Sequence, residues 1–379
     1  MEFNIKKIII FVVIALAIGG GIALLVSRFP SLLSPGNSPV ESSSDAAAVC
    51  TDSIFAKVVE KNSPGVISVI AAADYEAIKD CGVGSVIGKS PDYAGHMEVS
   101  CVKPGASTSL KLIRGGTGFF VSTDGWVVTS SVAVPDQNTP FVIIVDNHTF
   151  KATVSFVDKN EGISILKTEA SDRPWLKFGK VSDIALNNKA VAIGIVPGQR
   201  KVVSSMGTIK SVGRDFSIPL KSGYVDFKSL VETDMPFDMA VFSAPLLNEK
   251  GDVIGVNIGY SPSSGALFAT GERVETIVKS VINTGDWNAP YIGLFYNKVP
   301  EGFKVTGRGA LSVIPGSPAA KAGLREGDII YQIDGVDVQG ISDMGETVRY
   351  KQVGDIVNMR VQRSGQTIDI EVILETSAL

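Results

Sequence analysis

From about residue 52 to residue 285 the chain is cut by turn signals into short apolar runs, and few of them are long enough to carry a helical period. Val66-Ile67-Ser68-Val69-Ile70, Gly118-Phe119-Phe120-Val121, Trp126-Val127-Val128-Thr129, Phe141-Val142-Ile143-Ile144-Val145 and Val191-Ala192-Ile193-Gly194-Ile195 are strand-like. So are Gly207-Thr208-Ile209, Leu246-Leu247 and Val253-Ile254-Gly255-Val256, all drawing on side chains that suit a pleated, half-buried surface. Thr123-Asp124-Gly125, Asp146-Asn147-His148 and Glu249-Lys250-Gly251-Asp252 have hairpin-turn chemistry. Many short strands of this kind specify an all-β barrel or sandwich. Val274 to Ile282 reads as a terminal helix that stops near Gly285. The 39 glycines support a turn-rich β chain, and the 45% hydrophobic content supplies real cores. A length of 379 residues leaves room for two or three domains.

The net charge of −4 argues against nucleic acid as the main partner, because phosphate binding needs a basic surface. The only histidines are His96 and His148, and the only cysteines are Cys50, Cys81 and Cys101. That leaves no Cys/His set for zinc, and no motif for another metal or a nucleotide cofactor is present. Any mechanism that needs a histidine base has two candidates.

Ile8 to Val26 is an unbroken apolar run of 19 residues preceded by Lys6 and Lys7. At 1.5 Å per residue it just crosses a hydrocarbon core of about 30 Å, and the two lysines hold the amino terminus in the cytoplasm. The run is longer than a signal-peptide core, and Ser27-Arg28-Phe29-Pro30 follows it, so an uncleaved anchor is expected. Residues 29–50, with Pro30, Pro35, Gly36, Pro39 and Ser42-Ser43-Ser44, form a polar tether. Everything beyond is then extracytoplasmic. In an oxidising compartment Cys81 and Cys101 can pair, closing a loop worth roughly 3 kcal/mol in the chain-entropy account; two free thiols are the alternative.

Gly116-Thr117-Gly118-Phe119-Phe120-Val121-Ser122-Thr123-Asp124-Gly125-Trp126-Val127-Val128-Thr129 resembles the second-strand signature of the HtrA/Deg family of trypsin-like serine proteases. Phe156-Val157-Asp158 with Ile163-Ser164-Ile165-Leu166-Lys167 resembles that family's aspartate segment. Thr233-Asp234 through Pro245-Leu246-Leu247-Asn248, then Gly251-Asp252-Val253-Ile254-Gly255-Val256-Asn257, resembles its serine segment. The resemblance implies two six-stranded antiparallel barrels with a site in the cleft between them. It also implies a homotrimer, built by analogy through the segment near Phe55.

Peptide cleavage of this type needs a nucleophilic serine, a histidine that takes its proton and a carboxylate that orients the histidine. The resemblance places the base three residues beyond Thr129, where Val132 stands. It places the aspartate just before the Ile163 strand, at Gly162, and the nucleophile nine residues beyond Thr233, at Phe242. Ala240 and Ala244 take the places of two glycines whose freedom lets backbone N–H groups face an oxyanion. Asp158 and Glu161 read as solvated turn acids. Ser243, on an extended backbone, would point away from its neighbour, and neither histidine lies where the resemblance puts a base. No catalytic residue is assigned, and a degenerate site is expected. A serine endopeptidase with a displaced site is the alternative.

Residues 288–379 form a second unit. Gly316-Ser317-Pro318-Ala319-Ala320-Lys321-Ala322-Gly323-Leu324-Arg325-Glu326-Gly327-Asp328-Ile329-Ile330 and Tyr331-Gln332-Ile333-Asp334-Gly335 resemble the PDZ domain that follows the protease in this family. Ser317 and Pro318 are a helix start, Gly323 a left-handed stop and Asp334-Gly335 a hairpin turn. The resemblance makes Tyr291, Ile292, Gly293 and Leu294 the loop that holds a peptide's terminal carboxylate, with Ile292 and Leu294 lining the pocket for its last side chain. The full expectation is mainly β: a stub and anchor over 1–28, a linker over 29–50, a trypsin-like domain over 51–287 and a PDZ domain over 288–379. Such a chain binds peptides or protein carboxyl termini outside the cytoplasm.

Overall fold

The computed structural model describes residues 53–376 except 81, 88–95, 103–107, 147, 197–200, 221–222, 237, 239–240, 262–264, 308–310 and 342–343. The apolar run Ile8–Val26, the tether and Cys81 lie outside the described residues. Among the described residues no helix is long and apolar enough to cross a membrane.

The first barrel follows α1 (Ser53–Asn62). Its elements are β1 (Val66–Ala71), α2 (Ala72–Ile78), β2 (Gly82–Ile87), β3 (His96–Val102), β4 (Ser109–Phe120), β5 (Trp126–Ser130), β6 (Phe141–Val145), β7 (His148–Asp158) and β8 (Ile163–Thr168). The sheet order is β1-β6-β7-β8-β5-β4-β3-β2, and a further β1–β4 pairing closes six of these strands into a circuit. The 12-residue β4 makes this possible: Gly115–Phe119 pairs with β1, while Ser109–Arg114 runs on to pair with β3. The β2–β3 hairpin is therefore an outgrowth on β4, not a member of the barrel.

The second barrel comprises β9 (Lys189–Ile195), β10 (Val202–Leu220), β11 (Gly223–Thr233), β12 (Pro245–Leu247), β13 (Val253–Ser261) and β14 (Gly265–Thr270). It closes in the order β10-β11-β14-β13-β12-β9. Next comes α3 (Gly271–Thr284), which ends on Gly285 at φ 81°, a left-handed cap that glycine adopts without Cβ strain. One apolar cluster runs through both barrels, from Phe119, Val128 and Ile165 to Val191, Leu247 and Val256, and takes in Val274, Ile277 and Val281 of α3. The two barrels thus share a core. Phe55 of α1 is 4% exposed and belongs to that core, whereas Ile54 beside it is 52% exposed.

The last unit contains β15 (Pro290–Tyr291), β16 (Tyr296–Val299), β17 (Gly302–Val305), α4 (Pro318–Lys321), β18 (Ile329–Ile333), β19 (Val336–Asp337), α5 (Gly345–Val348), β20 (Ile356–Arg363), β21 (Gln366–Ile373) and β22 (Glu375–Thr376). Ser317 caps α4 by accepting the Ala320 N–H, with Pro318 in the first turn. Gly323 follows at φ 80°, and Asp334 and Gly335 have the two positive φ values of a hairpin turn. Asp328, wholly buried, accepts two hydrogen bonds from Arg363 at 2.7 Å. Those bonds raise the Arg363 pKa further and tie the entry of β18 to β20, while Arg363 Nη2 also donates to the Gly323 carbonyl just beyond α4 at 2.8 Å. This unit meets the second barrel through Tyr350: its hydroxyl lies 3.3 Å from the Ser229 hydroxyl, and its carbonyl accepts from Thr276.

Several aspartates are held below the usual carboxylate range. Asp136 is lowered by the Thr139 N–H, Asp124 by the Ser122 hydroxyl and Asp183 by the Lys180 N–H. A depressed folded pKa contributes stability that is complete above the unfolded value of about 3.9 and is lost as pH falls through the lower folded values. Urea midpoints should therefore carry the full, pH-independent contribution of these groups above about pH 5 and lose it steadily below about pH 4. A series of unfolding curves from neutral to acid pH checks this.

Candidate functional site

β5 ends at Ser130, and the chain turns at once: Ala133 and Val134 both donate backbone N–H bonds to the Ser130 carbonyl, at 3.2 and 3.1 Å. Val132 sits in this turn, partly buried against the core of the first barrel. Its isopropyl group has no lone pair with which to take a proton. The preceding residue, Ser131, donates its N–H to the Gly162 carbonyl at 2.8 Å, so the first two predicted positions are neighbours.

Gly162 has φ 75°, and a Cβ built on it would lie 2.9 Å from Ile258 Cγ2 and 3.1 Å from Phe227 Cε1. The space where a carboxylate would start is filled by hydrocarbon from the second barrel. Asp158 is a turn acid, accepting the N–H groups of Asn160 and Glu161. Glu161 is not the solvated acid expected. Its side chain is 16% exposed and pairs at 2.6 Å with Arg273, itself 9% exposed. Arg273 opens the buried stripe of α3, and a charge on such a stripe is the sequence signal that was available for a buried partner.

Phe242 is 9% exposed and packs in the same cluster as Val132. Its carbonyl accepts the Thr117 N–H at 3.0 Å, stitching this segment to β4. The expectation of an extended Ser243 is overturned: Ser243 has φ 65°, a left-handed turn conformation that glycine adopts more easily. Its fully buried hydroxyl lies 2.6 Å from that of Ser130. Gly116 is required here, since a Cβ on it would stand 2.9 Å from Ser243 Oγ. The Ser243 N–H goes to Asn257 Oδ1 at 3.3 Å and the Ala244 N–H to the Val241 carbonyl, so both donors are occupied. Ala240 lies outside the described residues.

Neither histidine joins this group. His148 is exposed at the start of β7, its ring 6.4 Å from that of Phe150, and His96 lies on β3 opposite Arg114. The cavity beside Phe242, lined by Pro236, Val241, Asn257 and Tyr260 among others, has about 10 Å³, room for a single water at most. A larger cavity of about 550 Å³ is lined by Phe55, Asn188, Asn248 and neighbouring residues, and by none of Val132, Gly162 and Phe242.

In the last unit, Ile292 is 9% exposed and belongs to the core, with Leu294 and Tyr296 packed against it. Ile292 is thus a core residue of this unit, with Leu294, half-buried, beside it. Gly293 has φ 83°, and a Cβ there would lie 2.2 Å from Ser317 Cβ and 2.7 Å from the Tyr291 hydroxyl. The loop carbonyls are taken: that of Ile292 accepts the Ala319 N–H at 2.9 Å, and that of Gly293 accepts the Ile314 N–H at 2.9 Å and the Ser317 hydroxyl at 3.0 Å. Among the described residues no acceptor takes the N–H groups of Gly293 or Leu294. In the outgrowth on the first barrel Cys101 is disulfide-bonded and 1% exposed. The residue next to Cys81, Gly82, pairs with Val102.

The family model of a trypsin-like peptidase domain matches residues 116–256, and that of a PDZ domain matches 309–363. The probable periplasmic serine endoprotease DegP-like of Chlamydia trachomatis is 30% identical over 269 residues, which cover 68% of this chain and 53% of the relative. The putative serine protease HhoB of Synechocystis sp. is 30% identical over 266 residues, 65% of this chain and 63% of the relative. The DegP-like endoprotease of Pseudomonas fluorescens is 27% identical over 336 residues, 84% of this chain and 69% of the relative. The chain spans about half the length of the chlamydial relatives it matches. Among solved structures, the HtrA-type protease AlgW with a tripeptide superposes with a TM-score of 0.55 at 18% identity, covering 86% of this chain and 98% of that one. The same protease with a decapeptide gives 0.54 at 17% identity, with 86% and 99% coverage. At these identities the likeness speaks for the fold. The chain is accordingly an HtrA-type trypsin-like domain followed by a PDZ domain, a homologue of the DegP-like serine endoproteases.

Proposed function

We propose that the chain is an HtrA-type pseudoprotease that binds peptides or protein carboxyl termini through its PDZ domain and does not cut them. One observation carries this reading. Where proton transfer, orientation and nucleophilic attack need ionisable and hydroxyl groups, Val132, Gly162 and Phe242 stand, Val132 half-buried and all three packed against apolar atoms. Loss of the whole set in such an enzyme lowers turnover by on the order of 10⁶. The peptide-bound AlgW structures and the N–H groups of Gly293 and Leu294, for which no acceptor stands among the described residues, support the binding half of the reading.

The periplasmic relatives support folded domains outside the cytoplasm, and the apolar run Ile8–Val26 is the tether proposed for them. The buried Cys101 disulfide fits that compartment, and Cys81 is the partner we propose. A homotrimer rests on analogy alone, and Phe55 is turned into its own core.

The test is to incubate the full-length protein with unfolded casein and with a fluorophosphonate probe. The expected outcome is no hydrolysis above buffer and no labelled serine. Stoichiometric labelling of Ser243, with turnover abolished by Ser243→Ala, would establish the rival reading of a displaced active site.

A further inference from the structure

We propose that Ser317 is the positioning residue of the PDZ carboxylate loop, the residue whose hydroxyl orients the donors that Gly293 and Leu294 present to a peptide's terminal carboxylate. The inference rests on the reading that this loop binds such a carboxylate. Its argument is a matter of peptide geometry. In a trans peptide unit the C=O and the following N–H point in opposite directions. The Ile292 carbonyl is drawn toward α4 by the Ala319 N–H, and the Gly293 carbonyl is drawn the same way by Ser317 Oγ and the Ile314 N–H. The N–H groups of Gly293 and Leu294 therefore face away from α4, side by side, which is the arrangement an anion needs.

Ser317 is the only side chain in this set of bonds, and it is bound at both ends. Its oxygen accepts the Ala320 N–H at 3.2 Å while its proton goes to the Gly293 carbonyl at 3.0 Å. The residue is 4% exposed, so water does not compete for the bond. A side chain at position 293 would strike Ser317 and Tyr291 together, which keeps the loop glycine pressed against the clasp. One hydroxyl thus caps α4 and sets the loop, and α4 becomes the reference against which the binding edge is aligned.

The experiment uses the full-length protein and fluorescein-labelled decapeptides ending in Leu, Val or Phe, each with a free carboxylate and as the carboxamide. Wild type should prefer the free carboxylate. Ser317→Ala should weaken binding of the carboxylate form about 5-fold to 10-fold, the effect of one hydrogen bond, and leave the amide form unchanged. Ser317→Thr should restore most of the loss. Ser317→Asp separates the two jobs, since it still caps α4 but sets a carboxylate that cannot donate beside the Gly293 carbonyl; it should lose the preference and, with its charge in a buried place, lower the melting temperature. If Ser317→Ala does not fold, Ser317→Asp decides. An unchanged preference in a folded variant, or equal weakening of both peptide forms, overturns the role given to Ser317. Failure of wild type to bind any of the peptides removes the underlying reading instead.

Discussion

Replacing Arg273 by methionine should lower the unfolding free energy by about 3 kcal/mol or more, the usual cost of stripping one partner from a buried ion pair. Methionine keeps much of the apolar stem, so lost packing is a minor part of the effect. What remains behind is the Glu161 carboxylate, 16% exposed, with its 2.6 Å partner removed. The carbonyl of Arg349, to which Arg273 Nη1 also donates, loses its donor at the same time. The guanidinium further stacks 4.7 Å from the Trp287 ring centroid, a contact worth about 0.5–2 kcal/mol. Glu161→Gln should cost less, because the amide oxygen still accepts from Arg273, whose remaining charge keeps the Arg349 carbonyl and the Trp287 ring as partners. Urea unfolding of both variants and of the double variant gives the coupling, and Trp287 emission reports the local change. A loss below about 1 kcal/mol for Arg273→Met would mean that water already stabilises Glu161.

The triple variant Val132→His, Gly162→Asp, Phe242→Ser should restore every side-chain type that cleavage needs and still fail to cleave casein. Gly162→Asp is the reason. Its backbone is left-handed, which costs an L-residue roughly 1–2 kcal/mol. Its Cβ meets Ile258 and Phe227 at 2.9 and 3.1 Å, an overpacking of about 1–3 kcal/mol, and its carboxylate would enter an apolar wall. Gly162→Asp alone should therefore destabilise by about 3 kcal/mol or more, measurable in the same unfolding assay. Casein turnover dependent on the new serine, at an unchanged unfolding midpoint, would show that only the three side chains had been lost and that the cleft had stayed ready.

How much of this was legible in the sequence depended on the range of the interaction. The strand at Val66–Ala71, the turn at Asp334-Gly335 and the cap at Ser317 are set by residues within a few positions of one another, and each lies where its local chemistry puts it. Val132, Gly162 and Phe242 were singled out by the resemblance alone; that Ser131 donates to the Gly162 carbonyl and that Phe242 packs with Val132 are tertiary facts. The pairing of Glu161 with Arg273 could not be read, since 112 positions separate the two and neither carries a local sign of the other beyond a charge at the edge of an apolar stripe. Ser243 was misread for a different reason. A serine gives no warning of a left-handed backbone, and only the closed approach of Gly116 explains why the turn is kept. The outgrowth of β2 and β3 hangs on the length of β4, whose mostly exposed first half, with Lys111 and Arg114, pairs outside the barrel while its buried glycine-rich second half closes it.

The pairing of β15 with β22 sets Pro290 opposite Thr376. The PDZ unit is therefore entered and left through one doorway, and its flanking covalent connections lie side by side. A module joined in this way can be lost, duplicated or followed by another copy without rethreading any strand of the sheet. Tandem growth or shrinkage of such a module would ask little of its own core, which is closed on itself from Ile292 to Leu374.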